Sequence, residues 1–206
     1  MEIGFSLFER AWTMRGMVNL MIDMQEHPGF VDDLLDTITE FNLGLIRRAV
    51  QYPIDCVHCG DDWGQQQGML MGPKLWRRFI KPRLARMYAA VRSAGKTMSI
   101  HSCGDVYEVF PDLIDIGLQM FNPFQPEVID VYEAKRVYGR DLTFYGGVST
   151  QRLLPYATPE QVKAEAQELM REIGRDGGYI IAPAHATPKD VPAENLAALI
   201  EAVQEQ

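Results

Sequence analysis

The feature that most constrains this chain is a repeating order. A short apolar run ends on polar residues, an amphipathic stretch follows, and then comes another such run. Six runs read as strands, at 3–7, 56–60, 97–101, 119–122, 142–145 and 179–182. Each is brief and almost unbroken in apolar character, as strands buried on both faces are. Helical spacing fills the gaps. Val31, Leu34, Leu35, Ile38, Leu45 and Ile46 fall on one face, as do Leu75, Phe79, Ile80, Leu84, Met87 and Val91, with Pro82 set to kink or split the second helix. Thr158-Pro159-Glu160 is a capped helix start, running to about Ile173, and 190–192 introduces a last helix through Ala202. Gly95, Gly117, Gly139 and Gly177-Gly178 stand before strands, where a left-handed helix C-cap belongs.

Strand, helix, strand, helix predicts parallel β structure in an α/β fold. Polar residues gather where the strands end: Asp61 and Asp62, His101 and Cys103, Asn122 and Gln125, Ser149, His185. On a (β/α)8 TIM barrel that rim carries the chemistry. Six strands in 206 residues fall short of the eight strands and roughly 250 residues of such a barrel. The expectation is one domain, residues 1–206, forming a barrel that lacks its first strands. With 47 % hydrophobic residues the chain has enough to build a packed core. A net charge of -8 without a long basic run excludes a nucleic-acid binder. No apolar run has the length of a membrane span, and the first ten residues do not read as a signal peptide. Three cysteines make no disulfide framework, so a reducing cytoplasm is the expected home.

Four stretches are candidates for chemistry. In "MSIHSCGD", His101 and Cys103 stand two apart at a strand end, so both side chains face one side. Imidazole nitrogen and thiolate sulfur are zinc ligands, and His185 in "IIAPAHATP" is the candidate third; a buried cysteine beside a hydrogen-bonded histidine is the alternative. In "CVHCGDDWG", Cys56 and Cys59 are three apart within a strand and face opposite sides, which argues against a redox or zinc pair. One of Asp61 and Asp62 is a candidate base or metal ligand, and the other a cap of the next helix. The run Lys74, Arg77, Arg78, Lys81, Arg83, Arg86 reads as the solvated face of a helix rather than an anion site. Phe5, Phe8 and Trp12 read as core.

Longer segments carry a resemblance. "GDDWGQQQGMLMGPKLWRRFIKPRLARM", "HSCGDVYEVFPDLIDIGLQMFNPFQ", "FYGGVSTQRLLPYATPEQV" and "GGYIIAPAHATPKDVPAENL" together resemble the uroporphyrinogen decarboxylase superfamily, from about Phe5 to Val203. The resemblance implies a (β/α)8 barrel and one of two chemistries. Decarboxylases of the family remove acetate carboxyl groups from uroporphyrinogen III without metal or cofactor. Corrinoid-linked methyltransferases use zinc to activate a thiol that accepts a methyl group from methylcobamide.

His185 stands the same distance before Glu194-Asn195 as the decarboxylase histidine does. The decarboxylase "RQAGRY" and "FSD" segments have no counterpart, although a substrate with eight carboxylates needs cations. "HSCG" matches the methyltransferase His-x-Cys, with His185 where those enzymes carry a later cysteine. The leading expectation is therefore a zinc methyltransferase-like enzyme, with His101, Cys103 and His185 as ligands and Asp61 or Asp62 as fourth ligand or base. Its methyl donor would be a methylcorrinoid on a separate corrinoid protein. The alternatives are a decarboxylase, with His185 on the substrate and Arg10, Arg15 and the basic run as counter-charges, or a non-catalytic barrel fragment. An open barrel edge also points to a partner chain or a homo-oligomer covering it.

Overall fold

The computed structural model describes residues 1–206, which form two compact units, 1–120 and 121–206. The first opens with strand β1 (Glu2–Ile3), then helices α1 (Phe8–Arg15), α2 (Met17–Glu26) and α3 (Pro28–Ala49). Strand β2 (Cys56–Gly60) follows, then a small antiparallel hairpin of β3 (Gly64–Gln65) and β4 (Gly68–Met69). Next come α4 (Gly72–Leu75), a π-helical turn (Trp76–Ile80), α5 (Lys81–Ser93), strand β5 (Thr97–His101) and α6 (Phe110–Asp115). β1 pairs with β2 and β2 with β5, both in parallel, with Glu2 opposite His58 and His58 opposite Ser99.

Local chemistry explains these elements. Pro28 opens α3, where a missing N–H costs nothing, and Arg47 and Arg48 face the negative end of its dipole. Its buried stripe is Val31, Leu35, Ile38, Leu43 and Ile46. Pro82 has no N–H for the carbonyl four residues back, and the helix widens into the π turn just before α5. The expected split at Pro82 is thus observed. Lys74, Arg77, Arg78 and Arg86 of the basic run are exposed, as a solvated helix face should be, whereas Arg83 is buried, and five of the six cations pair with carboxylates. Arg78 pairs with Asp32 at 2.6 Å; Arg83 pairs with Asp32 at 3.0 Å and Asp36 at 2.9 Å, and Arg86 with Glu40. Arg77 and Lys81 pair with Asp112 at 2.9 and 2.8 Å. These cations stitch α3 and α6 to the helix that carries them.

The three-residue strand β6 (Met120–Asn122) marks the boundary between the units. In the second unit follow α7 (Val131–Tyr138), β7 (Thr143–Val148), α8 (Leu153–Tyr156), α9 (Pro159–Glu172), β8 (Tyr179–Pro183) and α10 (Ala193–Gln204). β7 and β8 pair in parallel, from Phe144 opposite Tyr179 to Val148 opposite Pro183. Thr158 caps α9 in a full capping box with Gln161, as the sequence predicts. Phe124 stacks on Phe144 at 4.1 Å in the core.

Three further expectations need correction. The first strand ends at Ile3 rather than at residue 7, because the backbone from Leu7 to Glu9 turns into α1 against a carboxylate. Gly139 lies at φ -66, an ordinary right-handed value, whereas Gly95 and Gly117 are left-handed caps at φ 70 and 94. Phe5 is not core. It is 49 % exposed at φ 51, with the Arg10 guanidinium 5.9 Å from its ring.

Candidate metal centre

The ends of β2 and β5 build the site. Each strand runs into a polar loop, and the two loops touch backbone to backbone. The Gly64 N–H donates to the Cys103 carbonyl at 3.2 Å, and the Asp105 N–H to the Gln65 carbonyl at 2.8 Å. Only glycine permits this approach. A Cβ on Gly64 would lie 2.7 Å from the Cys103 oxygen, and one on Gly104, at φ 81, would overlap the Gly64 backbone. The glycines in "DDWG" and "SCGD" therefore hold Asp62 against Cys103.

His101 is the last residue of β5, and Cys103 lies just beyond it. Their side chains face one side, as the spacing predicts, and Cys103 Sγ stands 3.3 Å from His101 Nε2. Ser102 between them points the other way, is buried, and accepts the Trp63 N–H at 3.1 Å. Asp62 Oδ1 accepts the Cys103 N–H at 2.8 Å and lies 3.7 Å from His101 Nε2. Burial, with Asp62 and Glu9 adding repulsion, pushes the Cys103 thiol up to about 12.

The two aspartates have separated roles. Asp61 is fully buried, and its carboxylate accepts the N–H groups of Leu7, Phe8 and Glu9 at 3.0 Å each. It also accepts the Trp63 indole N–H at 2.6 Å. Burial raises its pKa to about 6 against the pull of these four donors, so it is ionised at neutral pH. It caps α1, which precedes it in sequence, rather than the next helix. Asp62 alone faces the His101–Cys103 pair.

Sequence reasoning missed Glu9, in the first turn of α1. Its Oε2 accepts the Asp62 N–H at 3.1 Å, which places a second carboxylate on the same loop. Burial, then the Asp62 charge, raises its pKa to about 7. Nothing local in "SLFERA" signals this, because the contact joins residues 53 apart. His58 was also missed. It shares the face of His101, its Nδ1 lies 2.8 Å from Ser99 Oγ, and the two imidazole centroids are 6.4 Å apart. Cys56 is half-buried and Cys59 fully buried, on opposite faces of β2, and burial pushes the Cys59 thiol up to about 12. No redox pair exists there. In the second unit, His185 is exposed on the loop after β8.

The donor chemistry fits zinc. Zinc–nitrogen bonds of ~2.0–2.1 Å and a zinc–sulfur bond of ~2.3 Å, at a tetrahedral angle, separate the two donors by about 3.5 Å. The observed 3.3 Å is close to that edge. Burial is the main reason Cys103 stays protonated, and the Asp62 and Glu9 carboxylates that add to it make a field that favours a dication, whose charge reverses the preference.

Comparison with known proteins gives a consistent family. The family model described as uroporphyrinogen decarboxylase (URO-D) matches residues 5–206. Methylcobamide:CoM methyltransferase MtaA of Methanosarcina barkeri is 26 % identical over 203 residues, covering 93 % of this chain and 57 % of its own length. Uroporphyrinogen decarboxylase of Chlorobaculum parvum is 24 % identical over 218 residues, covering 99 % and 59 %. Among solved structures, a methyltransferase from Methanosarcina mazei superposes with a TM-score of 0.79 at 22 % identity, over 99 % of this chain and 58 % of that one. The chain thus spans somewhat over half the length of these proteins. Its fold is α/β, a partial barrel of their type.

Proposed function

Because the chain belongs to the uroporphyrinogen decarboxylase family, we propose that it is a zinc-dependent methyltransferase-like enzyme that moves a methyl group between a corrinoid and a thiol. The observation that carries this reading is the His101–Cys103 pair, 3.3 Å apart with Asp62 beside it. Among the relatives are proteins named as methyltransferases, two for methylcobamide and coenzyme M and one for methylated thiols and coenzyme M.

His101 and Cys103 would hold the ion, with His185 as third ligand; all three are residue types that bind zinc. Zinc would lower the pKa of a thiol substrate and keep it as the nucleophilic thiolate. Asp62 fixes the Cys103 backbone through its N–H and so orients the thiol. Asp61 stays outside the chemistry and holds α1 in place. The methyl donor would arrive on a separate corrinoid protein.

The decarboxylase reading needs cations free to face a polycarboxylate. Arg15, Arg77, Arg78, Lys81, Arg83 and Arg86 are already paired with carboxylates of this chain. The test mixes the zinc-loaded chain with free methylcobalamin and 2-mercaptoethanol and follows loss of the methylcobalamin absorbance. Zinc-dependent demethylation, abolished in Cys103→Ala, is expected. No acceleration over thiol alone, with coproporphyrinogen formed from uroporphyrinogen, would overturn the proposal.

A further inference from the structure

We propose that the apolar face built by the start of the chain, helices α1 and α2 and the middle of α3 is a contact between two copies of this chain, related by a twofold axis. The inference is independent of the metal-site reading.

The face lies wholly within the first unit. Phe5, Met14 and Phe41 line a groove of about 620 Å3 between β1, α1 and α3. Met17, Val18 and Ile22 line a second recess of about 520 Å3 along α2. The two adjoin at Gly16, where α1 passes into α2, with Met14 on one side and Met17 on the other.

Size is the first argument that this face is covered. Val18, Phe41 and Met14 are 72, 67 and 66 % exposed, and Phe5, Met17 and Ile22 are exposed too. At ~150–250 Å2 for a whole large side chain, the six present roughly 600 Å2 of apolar surface. The largest patch on an ordinary monomer is about 300–600 Å2, and a standard interface buries ~800 Å2 per partner. This patch with its polar rim supplies that area.

Shape and charge point to a second copy as the occupant. A twofold contact sets one surface against itself. Here projecting side chains and recesses share a face, so Phe41 and Val18 of each copy meet a surface that has grooves to receive them. The charged residues lining the two recesses are Arg10, Glu2 and Glu26, and none of them forms an ion pair within the chain. A rim with both signs lets two copies match unlike charges. A lipid surface calls instead for a basic rim, and this one has a single arginine against two glutamates.

Helix side chains carry the contact, and the sheet edge only borders it. β1 pairs with β2 on one side alone, but it is two residues long and includes Glu2. Short, charged edges resist strand addition.

The experiment is sedimentation equilibrium of the purified chain in EDTA, which excludes bridging by metal, from about 1 to 50 µM, where interfaces of this size associate. Wild type is compared with Phe41→Glu and Val18→Glu, both at exposed helix positions, with circular dichroism checking their folding. Each substitution enters a twofold contact twice. Wild type should sediment at twice the chain mass, and each folded variant at the chain mass, with association weakened at least about a hundredfold. Hydrogen exchange of wild type at both ends of the concentration range reads the same face without substitution, and protection of the α2 amides should rise with concentration. A wild type monomeric throughout overturns the proposal, whether or not it floats with phosphatidylglycerol vesicles or retains another protein. So does a mass that keeps climbing past two copies, or a dimer that persists unchanged in either folded variant. If neither variant folds, α2 protection independent of concentration overturns it.

Discussion

Replacing Asp61 with asparagine should destabilise the chain severely, although Asp61 stands next to Asp62 and reads almost identically in sequence. Asp61 Oδ1 receives the Leu7 and Glu9 N–H groups, and Oδ2 receives the Phe8 N–H and the Trp63 indole. An asparagine amide can keep one oxygen in place. Its NH2 then faces two buried donors, which lose their acceptor. Each orphaned buried donor costs ~1–3 kcal/mol, partly offset because a neutral amide is cheaper to bury than a carboxylate. The net loss should be roughly 3–4 kcal/mol. For a chain of this size that lowers Tm by on the order of 10 °C. Asp62→Asn is the control. Its side chain is 36 % exposed, and its amide oxygen can still accept the Cys103 N–H, so stability should change by less than about 1 kcal/mol. Zinc affinity should fall by about 10–100-fold, as it does when an outer partner of a metal ligand is altered. The assay is thermal and urea unfolding followed by circular dichroism and tryptophan fluorescence, with Trp63 reporting on the Asp61 contact. A loss below about 1 kcal/mol in Asp61→Asn would refute the structural role of this carboxylate.

Arg83 is 6 % exposed and bonded to Asp32, Asp36 and the Phe79 carbonyl; Asp32 keeps Arg78 and Asp36 is largely exposed, so Arg83→Met should cost about 1–3 kcal/mol, read by urea unfolding. Arg78, then Arg83, hold the Asp32 carboxyl below its ordinary value. A depressed folded pKa adds stability above the unfolded value near 3.9 and loses it as pH falls through the folded one. An acid-unfolding series should therefore show the Arg83→Met chain losing less stability below about pH 4 than wild type. Thr158→Ala removes the α9 capping box and should cost ~1 kcal/mol in the same unfolding assay.

What the sequence made legible was whatever is encoded locally. The strands 56–60 and 97–101 match the structure to the residue, because each is a short apolar run between turn signals. The capping box at Thr158 and the disruption at Pro82 follow from single residues with fixed backbone chemistry. The facing of His101 and Cys103 follows from strand alternation carried two residues past the end of β5. What was not legible depends on distant contacts. The first strand stops at Ile3 because Asp61, more than fifty residues later, captures the α1 backbone. The ion pairs of the basic run, and the burial of Arg83 within it, were not legible because the carboxylate partners lie on α3 and α6, 30 to 50 residues away. Asp61 and Asp62 could not be assigned individually until the loop geometry turned one inward and the other toward the pair. Glu9 carried no signal because its importance comes only from the neighbour it meets.

The most direct measurement is zinc content and affinity of the purified chain after reconstitution and exhaustive dialysis, for wild type, His101→Ala and Cys103→Ala. The pair at the end of β5 predicts about one zinc per wild-type chain, and loss of at least a hundredfold in affinity in each variant. A wild type that binds no zinc, or binding unchanged in Cys103→Ala, would contradict the metal centre on which the proposed function stands.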